Sequence, residues 1–127
     1  MPNIQYRLNP MQKTLSIPVH WEFSKNDYDK LVEGHRSNWC VFLHDGVVHF
    51  CRVSGEEFYR FALSEVDNGI YVTDNWQVYA TDNFYEVARR RGWSEGKIEQ
   101  DYIRFIEAAS NEVTGLLEAY FGIRVSR

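Results

Sequence analysis

Residues 39–51 read Trp39-Cys-Val-Phe-Leu-His-Asp-Gly-Val-Val-His-Phe-Cys51, and they hold both cysteines of the chain and two of its four histidines. Asp45-Gly46 at the centre suits a two-residue hairpin loop, whose two positions call for positive φ. Apolar residues flank it on both sides, so the stretch predicts strands Trp39–His44 and Val47–Val53. A two-residue loop fixes the register. His44 then faces Val47, Phe42 faces His49, and Cys40 faces Cys51.

That register argues against two other uses of these residues. Cβ atoms in a hydrogen-bonded cross-strand pair sit about 5.5 Å apart, whereas a disulfide wants roughly 3.5–4.5 Å. A metal site would draw on Cys40, His49 and Cys51. His44 lies roughly 13 Å along the strand from Cys40, too far to complete the four ligands of a structural zinc. Both cysteines are expected as reduced thiols, with no metal and no other cofactor.

Outward from the hairpin, Ser54-Gly55 and Asn68-Gly69 mark two further reversals, giving strands Glu56–Ser64 and Ile70–Ala80. The four strands form an antiparallel meander. Before them, Leu15, Ile17, Val19, Trp21 and Phe23 alternate with polar residues and Pro18, which reads as an edge strand or one carrying a bulge. Ser24 with Asp27 forms a capping box, Phe23 with Tyr28 a hydrophobic staple, and Gly34 ends the helix so begun. After residue 82 the period becomes helical. A short helix carries Phe84, Tyr85, Val87 and Ala88 and stops near Gly92. Ser94 caps a longer one with a stripe through Ile98, Phe105, Ala109, Val113 and Leu117. The expected fold is α+β: a four-strand antiparallel meander, an N-terminal edge strand and helix, and two C-terminal helices on one sheet face. Trp39, Phe50, Phe61, Phe105 and Leu117 are predicted core.

A chain of 127 residues suits a single domain, residues 1–127, and its eight Phe, eight Tyr and four Trp can fill a core without disulfides. The net charge of −4 lacks the basic footprint of a nucleic-acid binder and suits a basic partner. Arg89-Arg90-Arg91 reads as the charged end of a helix. No run approaches the ~20 apolar residues of a membrane span, and the N-terminus has no signal-like apolar core. A cytoplasmic protein that engages no membrane is expected.

No phosphate-loop, dinucleotide, nucleophile-elbow or H-E-x-x-H motif occurs. Glu56 and Glu57 alternate to opposite sides of a strand and form no acid–base dyad, and His20 falls on a polar side. No catalytic residue is therefore predicted. The meander register instead collects Phe42, His49, Phe58, Arg60, Gln77 and Tyr79 on the sheet face away from the main core. Aromatic residues around an arginine are the composition of interface hot spots, and His49 beside Arg60 offers a shallow seat for an anionic or planar group. The competing use of this face is a second core, covered by the N-terminal segment Ile4–Leu8.

The stretch from Phe23 to Leu63 resembles a group of small uncharacterised bacterial proteins in which a W-x-[VF] strand leads to F-H-R-S-W-T-G and then an I-Y strand. Phe50, Arg52, Gly55 and Tyr59 match; Cys51 stands where those proteins carry His, and one residue is missing before Ser54-Gly55. The resemblance implies a compact cytoplasmic protein without known catalysis, with Arg52 in a structural ion pair. Two functions follow from the sequence as a whole. One is a non-enzymatic protein-binding domain of the immunity or antitoxin kind, its acidity complementary to a basic protein partner that it neutralises. The other is a small-molecule-binding domain or enzyme using the His49/Arg60 face.

Overall fold

In the computed structural model, which describes residues 8–11, 14–79 and 89–125, Asp45 and Gly46 take φ of 50° and 78°. Positive φ at both positions is the two-residue turn whose twist matches the flanking strands. The strands it joins are β3 (Trp39–His44) and β4 (Val47–Arg52), paired His44 to Val47, Phe42 to His49 and Cys40 to Cys51.

Around this hairpin lies one antiparallel sheet. Its other strands are β1 (Thr14–Ser24), β2 (His35–Arg36), β5 (Glu57–Ala62), β6 (Ser64–Asp67) and β7 (Ile70–Tyr79). The order is β1-β7-β5-β4-β3-β2, with β6 also on β7. The fold is α+β, but the predicted four-strand meander becomes a seven-strand sheet among the described residues. The third strand breaks at Leu63, whose N–H makes the last bond toward the β3–β4 turn, donating to the Gly46 carbonyl at 2.8 Å. β5 therefore pairs with both β4 and β7, while β6 pairs with β7 alone. β1 lies at one edge, and its register slips between Pro18 and Trp21, as a residue without a ladder donor favours.

The first helix, α1 (Lys25–Glu33), starts at a complete capping box. Asp27 N–H donates to Ser24 Oγ at 3.1 Å, and Ser24 N–H donates to Asp27 Oδ2 at 3.3 Å. Gly34 ends the helix, and Leu31 is its fully buried residue.

The other described helix, α2 (Glu95–Phe121), is capped by Ser94 and closed by Gly122 and Ile123, whose N–H groups reach back to Glu118 and Leu117. It supplies Ala109, Val113, Leu117 and Phe121 to a core with Trp21, Phe23, Val41, Phe50, Phe61 and Trp76. Phe61 lies at the centre, stacked on Phe23 at 5.5 Å and edge-on to Trp21 at 5.6 Å. Tyr59 ties sheet to helix by donating to Glu112 Oε1 at 2.5 Å; burial, then this contact, push its hydroxyl pKa up.

Two C-terminal helices were expected, and one is found among the described residues. The shorter one, through Phe84 to Ala88, lies outside them, although Arg89 and Arg90 are helical and lead to Gly92. Phe105 corrects the predicted core, being 38% exposed. Phe105 lies at the margin of the buried face of this 27-residue helix, whose covered positions are Ile98, Ala109, Val113, Leu117 and Phe121. Leu117→Ala should accordingly cost about 2–5 kcal/mol in urea denaturation. Ile103→Ala, at a position 50% exposed, should change stability by no more than about 0.5 kcal/mol.

Candidate functional site

Strict alternation back from Phe61 and Tyr59 would put Glu57 on the core face, against an aromatic wall and away from His49 and Arg60. A lone carboxylate there would cost several kcal/mol. The strand avoids this with a bulge. Phe50 pairs with Tyr59, but Cys51 pairs with Glu57, so Phe58 is the extra residue. The bulge exchanges two side chains between faces. Glu57 moves to the second face, and Phe58 joins the main core, edge-on to Trp39 at 5.5 Å. The expected placement of Phe58 among the second-face residues is thereby corrected. Arg52 lies over the Trp39 ring at 4.3 Å and near Phe58, a cation–π contact where an ion pair was expected.

Glu57 is 1% exposed, yet three donors converge on it. His49 Nδ1 meets Oε2 in a short hydrogen bond. Arg60 Nη1 donates to Oε1 at 3.1 Å, and the Met11 N–H donates to Oε1 at 3.2 Å. Burial alone would raise its pKa, but the His49 and Met11 hydrogen bonds, with the charges of His49 and Arg60, outweigh it. The carboxyl is held below the usual carboxylate range. Glu57 is therefore ionised at neutral pH and accepts the hydrogen bond from His49 Nδ1–H.

The N-terminal residues complete this arrangement. Asn9 lies parallel to Glu56, its N–H donating to the Gly55 carbonyl at 2.7 Å and its carbonyl accepting from Glu57 N–H at 3.1 Å. Gly55 allows that approach with φ of 95°, a conformation that favours glycine. Met11 is buried, and Leu8 packs against a second cluster of Cys40, Phe42 and Cys51. Residues 8–11 thus cover the Cys51 end of the second face; of the Ile4–Leu8 segment expected there, residues 4–7 lie outside the described part.

The other end stays open as a recess of about 180 Å³, lined by Val47, His49, Arg60, Phe61, Ala62, Asn75 and Gln77. Arg60 pairs across β5 and β7 with Gln77, whose Oε1 accepts from Arg60 Nε at 2.6 Å. The guanidinium is thus held at both Nε and Nη1. Of the six residues predicted to form one surface, His49, Arg60 and Gln77 meet at this recess. Phe42 is buried, its ring 5.3 Å from that of His49. Phe58 is on the other side, and the side chain of Tyr79 lies outside the described part. Glu57 was missed. Its signal was a charge falling on the core side of an otherwise clean alternation.

Cys40 and Cys51 are buried free thiols. Burial, then the neighbouring Glu57 and Cys40, push Cys51 up to about 12, and burial raises Cys40 as well. Among the described residues no three His, Cys, Asp or Glu side chains are placed to hold a metal ion, and no helix is long and apolar enough to cross a membrane. No family model, curated protein or solved structure matches the chain.

Two outcomes follow from the buried carboxylate and the buried thiols. Glu57→Gln should lose about 3–5 kcal/mol, as when one member of a buried ion pair is removed. Because the folded-state pKa of Glu57 lies below its unfolded value, its contribution is complete above the ordinary carboxylate range and fades as pH falls through it. Melting temperature should therefore drop more steeply between about pH 5 and 3 in the natural protein than in Glu57→Gln. The thiols should ignore a disulfide reagent at pH 8 until denaturant unfolds the chain; rapid labelling of the native protein would contradict their burial.

Proposed function

We propose that the protein is a small-molecule-binding domain and that the recess beside His49 and Arg60 is its ligand site. The observation that carries the reading is the fixed guanidinium. Gln77 and Glu57 hold Arg60 from two sides, while its side chain remains 28% exposed. A cation oriented in advance loses little freedom when it meets an anionic group. Val47 and Ala62 add apolar wall, and Asn75 and Gln77 add amides, a mixture suited to small ligands.

The reading as an immunity-type domain that neutralises a basic protein keeps the support of the net charge of −4. Its aromatic anchors weigh against it, because Phe42 is 4% exposed and Phe58 packs toward the main core. An interface hot spot has to be presented before it can be desolvated by a partner.

Amide-resolved NMR titration with a panel of small carboxylates, sulfate and phosphate tests the site. Shifts should concentrate at His49, Arg60, Asn75 and Gln77. Arg60→Met should weaken any such ligand by about tenfold or more, the scale of a charge-assisted hydrogen bond. It should also lower the melting temperature, because Glu57 loses a partner. Shifts confined to other surfaces, or binding unchanged in Arg60→Met, would remove the recess from consideration.

A further inference from the structure

We propose that residues 8–11 act as a strap whose closure over Glu57 orders Arg60 for its ligand, so that closing the strap and filling the recess strengthen each other. This inference rests on the ligand-binding reading above and adds how the affinity of that site is controlled.

The link is a single atom. Glu57 Oε1 accepts from Arg60 Nη1 at 3.1 Å and from the Met11 N–H at 3.2 Å. The cation of the recess and the strap are therefore anchored to one oxygen, although Met11 is not among the described residues that line the recess. Otherwise the strap is lightly attached. Among the described residues its other backbone bonds are those of Asn9, to the Gly55 carbonyl at 2.7 Å and from the Glu57 N–H at 3.1 Å. Leu8 adds an apolar contact with Cys40, Phe42 and Cys51, and Met11 is buried. A short segment held by so few bonds opens more readily than the paired strands of the sheet.

With the strap closed, the Glu57 side chain is fully buried while that of Arg60 is 28% exposed. The ion pair then acts through a medium of low dielectric, and its pull on Nη1 complements that of Gln77 on Nε. Lifting the strap takes the Met11 donor from Oε1 and lets water replace it. Water solvates the carboxylate and screens the pair, so Arg60 keeps Gln77 as its one firm tether. A ligand arriving at the open form has to order the guanidinium itself, which costs affinity. An anion reaches Arg60 rather than the buried Glu57, so its repulsion from the carboxylate is the weaker effect. Because the closed form binds better, the ligand in turn favours closure, and by the same factor.

Amide hydrogen exchange of the full chain, followed by NMR with increasing benzoate, tests this. The Asn9, Met11 and Glu57 amides should exchange together, ahead of those that bond β3 to β4. Benzoate should slow all three by about fivefold or more, and the slowing should level off once the recess is full. Protection that only followed global stabilisation would keep growing with benzoate concentration, and would overturn the inference. Met11→Pro, which lacks the N–H, should bind benzoate at least about fivefold more weakly than Met11→Leu, which keeps it. Recess resonances that shift with benzoate while the strap amides exchange unchanged, or faster, would overturn the inference and leave the ligand site standing. Equal benzoate affinities of the two Met11 variants would do the same. If benzoate moves no recess resonance, the inference falls, and the wider anion panel decides separately on the site. The exchange measurement needs no variant, so it holds even if Met11→Pro fails to fold.

Discussion

A carboxylate shut away from water, shared by an imidazole, a guanidinium and a backbone N–H, is the constraint around which the second face of this sheet is organised. Glu57 sits where β4, β5 and the N-terminal residues meet, and each contributes one donor. Removing any donor would leave a buried charge less than fully satisfied, so the three segments are bound to one another through a single pair of oxygens. The same contacts set the orientation of the two residues that face the recess. His49 is fixed with Nδ1 toward Glu57, and Arg60 is pulled toward Oε1 on one side and Gln77 on the other. Support and site are the same network.

The sheet reconciles two kinds of face through one irregularity. On the main side, aromatic and aliphatic residues from β1, β3, β4, β5 and β7 pack under the last four turns of α2, and among the described residues no charged side chain is fully buried there. On the other side, the fully buried charge of Glu57 adjoins a small cluster of Cys40, Phe42 and Cys51. The Phe58 bulge separates these environments. It sends an aromatic ring to the apolar side and a carboxylate to the polar one, within two consecutive residues. A regular strand would have placed both wrongly.

Much of the frame was legible because it is local. Asp45-Gly46 dictated a turn type, the turn dictated a register, and the pairs from His44–Val47 to Cys40–Cys51 followed from counting. Ser24 with Asp27, and Ser94, announced helix starts through capping chemistry that acts over three residues. The pairing of His49 with Arg60 was also readable, because the extra residue in the turn and the extra residue of the bulge offset each other by that point. What escaped depended on distant partners. A two-residue reading of Ser54-Gly55 could not include Asn9 and Met11, which hold that turn and Glu57 from more than forty residues away in the chain. The burial of α2 was misjudged at Phe105 for a related reason. A periodic stripe gives the direction in which a helix faces but not which residues at the margin of that face are covered, as the burial of Ile98 and exposure of Phe105 show.

The tether between Met11 and Glu57 spans 46 positions of sequence, whereas the β3–β4 hairpin closes over two. Loop closure becomes more costly with separation, and contacts between remote residues are reached late by a folding chain. The hairpins can zip from their turns without help, but the environment that ionises Glu57 and aims His49 exists only after the beginning of the chain has come back across β5. Both faces wait on remote contacts, the main core on the pairing of β1 with β7 and on α2, and the recess face on the return of residues 8–11 across β5. An opening confined to residues 8–11 would undo its electrostatics while leaving the aromatic core under α2 closed.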